Sequence, residues 1–187
     1  MIATPVSPEL PTHLQTIDEF DTWEREYPHG RSYEFVRGRI IPKPATKQNE
    51  IFIASFLIRQ FVRTADFQHG NDLLPELDSY VDGSRKRIPD LMYVTAEQKQ
   101  AIRRGERINT LFAIEILSDS ESYEDVLDKL QDYFDGGTQL VWYIVPKRQK
   151  IFVYTSPDES KVYKGQDVIS AAPLVPELQF AVEDMFA

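Results

Sequence analysis

The sequence predicts an α/β domain, and three consecutive stretches predict it. Leu111–Leu117 (LFAIEIL) is an apolar run broken only by Glu115, the pattern of a strand buried on both faces. After a polar turn, Tyr123, Val126, Leu127, Leu130, Tyr133 and Phe134 recur at helical spacing, and Gly136-Gly137 ends the helix. Gln139–Val145 (QLVWYIV) then reads as another buried strand.

The rest of the chain is legible in order. Residues 1–14 carry Pro5, Pro8 and Pro11 and no periodic pattern, so they are expected to form a flexible arm ahead of one domain over 15–187. Thr16 and Glu19 fit a capping box opening a short helix that carries Phe20 and Trp23 inward. Tyr33–Pro42 predicts a hairpin turning at Arg37-Gly38. A helix is expected from about 46 to 64 with Ile51, Ala54, Ser55, Ile58, Phe61 and Val62 on its buried face, and Gln48 in its first turn. Leu73–Val81 reads as one strand. Arg85, Lys86 and Arg87 read as a solvated loop, with phosphate contact as the sharper alternative. Pro89 sets Asp90 at the mouth of a strand over Leu91–Val94, because Pro keeps Ile88 extended and is tolerated at a strand start. Thr95 caps a polar helix to about Arg104. Lys150–Thr155 and Ser160–Lys164 are further strands, and Val182–Phe186 is a terminal helical turn.

Composition narrows the function classes. Of 187 residues none is cysteine, which excludes disulfides and thiolate metal sites and agrees with a cytoplasmic location. No apolar run reaches the length of a membrane span, and the first residues lack the pattern of a secretion signal. The net charge of −9 counts against broad, non-specific nucleic-acid binding but leaves room for local phosphate contacts. His13, His29 and His69 lack metal-ligand spacing, and neither a nucleophile elbow nor a phosphate-cradling glycine loop occurs.

The chemistry rests on Glu115. An ionised carboxylate inside a doubly buried strand costs several kcal/mol or more unless a cation pairs with it. Lys129, at the edge of the following helical stripe, is one partner within reach. Asp90, on a strand expected to neighbour that of Glu115, would add a second carboxylate, and Glu34 a third from the hairpin. Hard oxygen ligands on strands suit Mg²⁺ or Mn²⁺. Such an ion would stabilise charge on a phosphodiester, with Lys129 orienting water or neutralising developing charge.

At these residues the sequence resembles the PD-(D/E)XK, restriction-endonuclease-like superfamily, and within it the Uma-two group of bacterial endonucleases. The resemblance lies in Tyr33-Glu34 with Gly38, Pro89-Asp90 and Ile114-Glu115-Ile116-Leu117-Ser118. It continues through Lys129 with Tyr133, Gly137, and Val141-Trp142 before Pro146, spanning residues 16 to 187. It implies a central mixed sheet flanked by helices, with hairpin additions at both ends. It also implies Asp90 and Glu115 as metal ligands and Glu34 as support for metal or water. The superfamily places a lysine two residues after the Glu, where this chain has Leu117. In the group a lysine on the next helix takes its place, and Lys129 matches. Many relatives carry His near Gln48 and Asp at Val145, so Gln48 marks the edge of the expected site.

The leading expectation is a Mg²⁺-dependent endonuclease acting on DNA, with a homodimer favoured by the need to cut two strands. The alternatives are an inactive nuclease fold serving as a binding or assembly module, and a purely structural Glu115–Lys129 ion pair.

Overall fold

The computed structural model describes residues 10–26, 32–44, 48–117 and 121–187. The first half holds α1 (Ile17–Glu26), β1 (Tyr33–Val36), β2 (Arg39–Pro42), α2 (Gln48–Phe61), α3 (Ala65–Gln68), β3 (Asp72–Pro75), β4 (Ser79–Asp82) and β5 (Arg85–Arg87). Next come β6 (Leu91–Val94), α4 (Ala96–Arg103), β7 (Phe112–Ile116), α5 (Tyr123–Asp135) and β8 (Leu140–Val145). The chain closes with β9 (Lys150–Ser156), β10 (Glu159–Lys164), β11 (Val168–Ala171), β12 (Val175–Ala181) and α6 (Val182–Phe186).

The central sheet has the order β10-β9-β8-β7-β6-β3. It is mixed: β7 and β8 run parallel, joined by the crossover helix α5, while the other pairs are antiparallel. Alternation along β7 and β8 sends Phe112, Ile114, Ile116, Leu140, Trp142 and Ile144 to one face. There they meet Ile53, Leu57 and Phe61 of α2 and the apolar residues of β12 and α6. Ala113, Val141 and Tyr143 take the other face and pack on Val126, Leu130 and Tyr133 of α5. Both faces of β7 are therefore covered, as its apolar run predicts, and Glu115, in register with Tyr143, belongs to the α5 face.

A second sheet, β2-β1-β5-β4, packs against α1 through Leu14, Ile17, Phe20, Tyr33 and Phe35. β11 and β12 form the C-terminal hairpin. Among the described residues no helix is long and apolar enough to cross a membrane.

Local signals were accurate where one short motif decides. The capping boxes at Thr16/Glu19 and Thr95/Gln98 form. The β1–β2 turn places Arg37 and Gly38 at φ 49° and 84°, the pair of left-handed residues that a tight hairpin requires.

Several expectations are corrected. The arm does not extend to residue 14: Leu14 is buried and Leu10 packs beside it, while residues 1–9 lie outside the described residues. The buried face of α2 is Ile53, Leu57 and Phe61, whereas Ile51 and Val62 are exposed. This helix is apolar on more than one side, so its periodicity does not choose the face that the sheet takes. On α5, Tyr123 and Leu127 are likewise exposed. Leu73–Val81 is two strands in different sheets, because Glu76 adopts φ 48° and breaks the extended chain.

Arg85, Lys86 and Arg87 are not a solvated loop. They form β5, a strand enclosed between β1 and β4, and all three are buried. Arg85 pairs with Asp82, Asp132 and Asp135; Arg87 pairs with Glu34 and Asp132. Lys86, on the opposite face, pairs with Glu24 and Asp78 and stands 4.7 Å from the centre of the Phe20 ring. Buried charges persist only when paired in this way.

Candidate active site

The antiparallel β6–β7 pair, with Leu91 opposite Ile114, brings Asp90 beside the end of β7. Asp90 Oδ2 accepts the Ile116 N–H at 2.7 Å, so a side chain completes the ladder just beyond the last paired residue. Asp90 Oδ1 accepts from Lys43 Nζ at 2.9 Å. Across the same opening, Tyr133 Oη donates to Glu115 Oε1 at 2.5 Å. Lys129 Nζ lies 3.6 Å from Glu115 Oε2 and donates to Glu121 Oε1 at 2.8 Å. Lys129 and Tyr133 stand one turn apart on α5, which is why both reach one strand residue.

Lys43, Asp90, Glu115, Glu121 and Lys129 line a pocket of about 260 Å³ together with Glu34 and Arg87. Glu34 is buried on β1, with Oε2 accepting from Arg87 at 2.8 Å and Oε1 from the Ile88 N–H at 3.1 Å. Both its oxygens are thus engaged by the protein. A larger hollow of about 770 Å³ lies between α1 and the end of α4, but it holds none of the expected residues, and its Arg107 is bound to Asp18 and Asp21.

The electrostatics follow from burial. Enclosure pushes the Glu115 carboxyl up to about 7; Lys129 and Lys43 oppose that rise and the Asp90 charge adds to it. Burial works against the Lys129 charge, yet Glu115, Glu34 and Glu121 outweigh it and hold the ammonium above its ordinary pKa. Lys43 behaves alike: desolvation is outweighed by Glu115 and Asp90. Burial would raise Glu34, but Lys129 and Arg87 bring it below the usual carboxylate range.

Asp90, Glu115, Lys129 and Glu34, each expected in the site, share this pocket. Gln48 does not: it is exposed, and Glu50 from the same turn lines the opening instead. Sequence reasoning missed Lys43 and the inward role of Arg87. The one signal for Lys43 is its place between Pro42 and Pro44, which holds the chain extended without revealing where the side chain goes.

Asp90 and Glu115 are oxygen donors of the type that a hard divalent cation takes. Glu115 has Oε1 fixed by Tyr133, and Asp90 has Oδ2 fixed by the Ile116 amide and Oδ1 held by Lys43, the kind of outer support that orients metal ligands. Glu115 Oε2 accepts no hydrogen bond among the described residues. No group of three or more Asp, Glu, His or Cys converges on a metal position among those residues. Mg²⁺ commonly takes only one or two carboxylates and completes its shell with water and substrate phosphate.

This arrangement of sheet, crossover helix and carboxylate pocket defines a restriction-endonuclease-like fold. The chain belongs to the Uma2 family, described as "Putative restriction endonuclease", which it matches over residues 17–183. It is also similar to a solved structure from Anabaena variabilis ATCC 29413, titled a "putative nuclease belonging to DUF820". The two share 25% identity at a TM-score of 0.76, covering 91% of this chain and 97% of the other. No curated protein matches the chain.

Proposed function

We propose that this protein is a Mg²⁺- or Mn²⁺-dependent endonuclease that hydrolyses phosphodiester bonds of DNA. The observation that carries the reading is one pocket holding Asp90, fixed by the Ile116 amide and Lys43, and Glu115, fixed by Tyr133, with Lys129 Nζ 3.6 Å from Glu115. Family membership and the similar nuclease structure support it.

Asp90 and Glu115 are the residues that would hold the cation. When bound, it would supply charge neutralisation at the phosphodiester and lower the pKa of a bound water. Lys129 remains an ammonium under the carboxylates around it, so it donates hydrogen bonds rather than accepting a proton. It is placed to hold the attacking water or a non-bridging phosphate oxygen as negative charge develops. Glu34 is a positioning residue: it fixes Arg87 and the Ile88 amide, and thereby the short segment ending in Asp90. Hydrolysis needs one proton lost by water and one gained by the leaving oxygen, and the open side of the pocket admits solvent for both.

The test is calorimetric titration of Mn²⁺ into the wild type and Asp90→Asn, with plasmid nicking in Mg²⁺ for the wild type and Asp90→Ala. Binding and nicking that both variants lose, with the fold intact, support the reading. Absence of both in the wild type, with DNA supplied, sinks it. The second reading, an inactive nuclease fold used as a binding module, is favoured by the net charge of −9. It predicts no metal affinity and no cleavage.

A further inference from the structure

Lys43 is a charged group of the pocket that the proposed hydrolysis leaves without a role. Its backbone is fixed at the end of β2, where its N–H donates to Ser32 O at 2.9 Å. Its side chain is only 9% exposed, and Nζ donates to Ile88 O at 2.5 Å and to Asp90 Oδ1 at 2.9 Å. Because the Ile116 amide holds Oδ2, Asp90 has both oxygens occupied by its own protein.

The charge pairing gives this contact a consequence. Within the pocket, Lys43 pairs with Asp90, Arg87 with Glu34, and Lys129 lies beside Glu115. A divalent cation entering between Asp90 and Glu115 therefore meets carboxylates that already face cations, with Lys129 3.6 Å from Glu115. It also meets an ammonium on Asp90 Oδ1, the oxygen that the Ile116 amide leaves to the pocket. Cations that share one oxygen repel each other, the more strongly where water is excluded.

We propose that Lys43 is a tethered competitor for the metal position: it holds Asp90 Oδ1 in the metal-free protein and withdraws from that oxygen when a divalent cation binds. The proposal rests on the metal-dependent reading above and adds to it a control on loading. The withdrawn ammonium keeps the Ile88 carbonyl and gains free N–H donors within the pocket, where a phosphate oxygen can take them. Metal and nucleic acid then load together, and the metal alone is held weakly.

The experiment is Mn²⁺ calorimetry without nucleic acid on the full chain, with unfolding midpoints and far-ultraviolet circular dichroism recorded for each variant. Lys43→Met and Lys43→Gln are expected to bind Mn²⁺ about tenfold or more tightly than wild type, a gain of about 1.4 kcal/mol. Lys43→Arg, which keeps the charge, is expected to bind as weakly as wild type. Adding Asp90→Asn to Lys43→Gln should abolish the gain. If Lys43 merely props up Asp90, both neutral variants bind Mn²⁺ as weakly as wild type or more weakly while still folded, and that outcome overturns the proposal. Wild type that takes up no Mn²⁺ even with DNA overturns the metal-dependent reading itself, and the competitor role with it. Wild-type binding that Lys43→Gln leaves unchanged overturns the competitor role alone.

Discussion

Tyr133 donates a 2.5 Å hydrogen bond to Glu115, and both side chains are enclosed between β7 and α5. The phenol is the one hydroxyl satisfying this carboxylate among the described residues, and burial and the Glu115 charge hold its own pKa well above the ordinary value. Tyr133→Phe removes the donor and keeps the ring. It should lower stability by about 1–3 kcal/mol, the usual effect of leaving a buried polar group without its partner. Because the same bond orients a proposed ligand, Mn²⁺ affinity should fall by about 10- to 100-fold. Thermal unfolding and calorimetry read the two effects separately. An unchanged affinity would show that Glu115 needs no such support.

Glu115 also makes stability depend on pH. Its carboxyl is raised to about 7 from an ordinary 4.5, so between these values the folded protein binds more protons at this site than the unfolded chain. Stability from this group is then fully present below 4.5 and declines as pH rises towards 7. Glu115→Gln is neutral throughout and serves as the reference. Metal-free wild type should lose up to about 3 kcal/mol relative to that variant across the interval. Unfolding midpoints measured from pH 4.5 to 8 check this, and a constant difference would mean that Lys129 keeps Glu115 ionised throughout.

The buried charge network behind the pocket gives a contrasting stability prediction. Asp132 is 1% exposed and receives Arg87 through two contacts and Arg85 through a third. Asp132→Ala leaves two enclosed guanidinium groups short of an anion and should cost about 3–5 kcal/mol. Glu106→Ala, which breaks the exposed pair with Arg104, should leave the unfolding midpoint unchanged. Denaturant titration of both variants tests the contrast, and equal effects would contradict it.

What the sequence disclosed was what neighbouring residues decide. Glu115 within its apolar run and Lys129 with Tyr133 on the next helix lie close enough in the chain for periodicity to place them together. Pro89 marks a strand start beside Asp90, a weak signal that gains its weight from Glu115 on a second strand 25 residues later. Lys43 meets Asp90 across 47 residues and Arg87 meets Asp132 across 45, and no local pattern encodes either meeting. The basic run of β5 looks solvated for the same reason, since the carboxylates that neutralise it arrive from other elements. In α2 the sequence offers competing apolar stripes, and the tertiary partner, not the helix, selects Ile53, Leu57 and Phe61.

Lys129 gives the sharpest test of the proposed chemistry, because in that reading it would stand in for the strand lysine whose position is Leu117 here. Its ammonium touches Glu121 and lies beside Glu115, and its contacts among the described residues are to these side chains rather than to the backbone of either strand. Lys129→Gln should therefore fold, and should still bind Mn²⁺ through Asp90 and Glu115. Losing a donor aimed at developing charge should slow single-turnover nicking of supercoiled DNA by about 100-fold or more at saturating Mn²⁺. Retained binding with lost cleavage would place Lys129 at the reacting atoms. Loss of both would reduce it to the counter-ion of Glu115. Cleavage at the wild-type rate would leave Lys43 as the lysine available to the phosphate, and the helix would have supplied no substitute for the strand lysine.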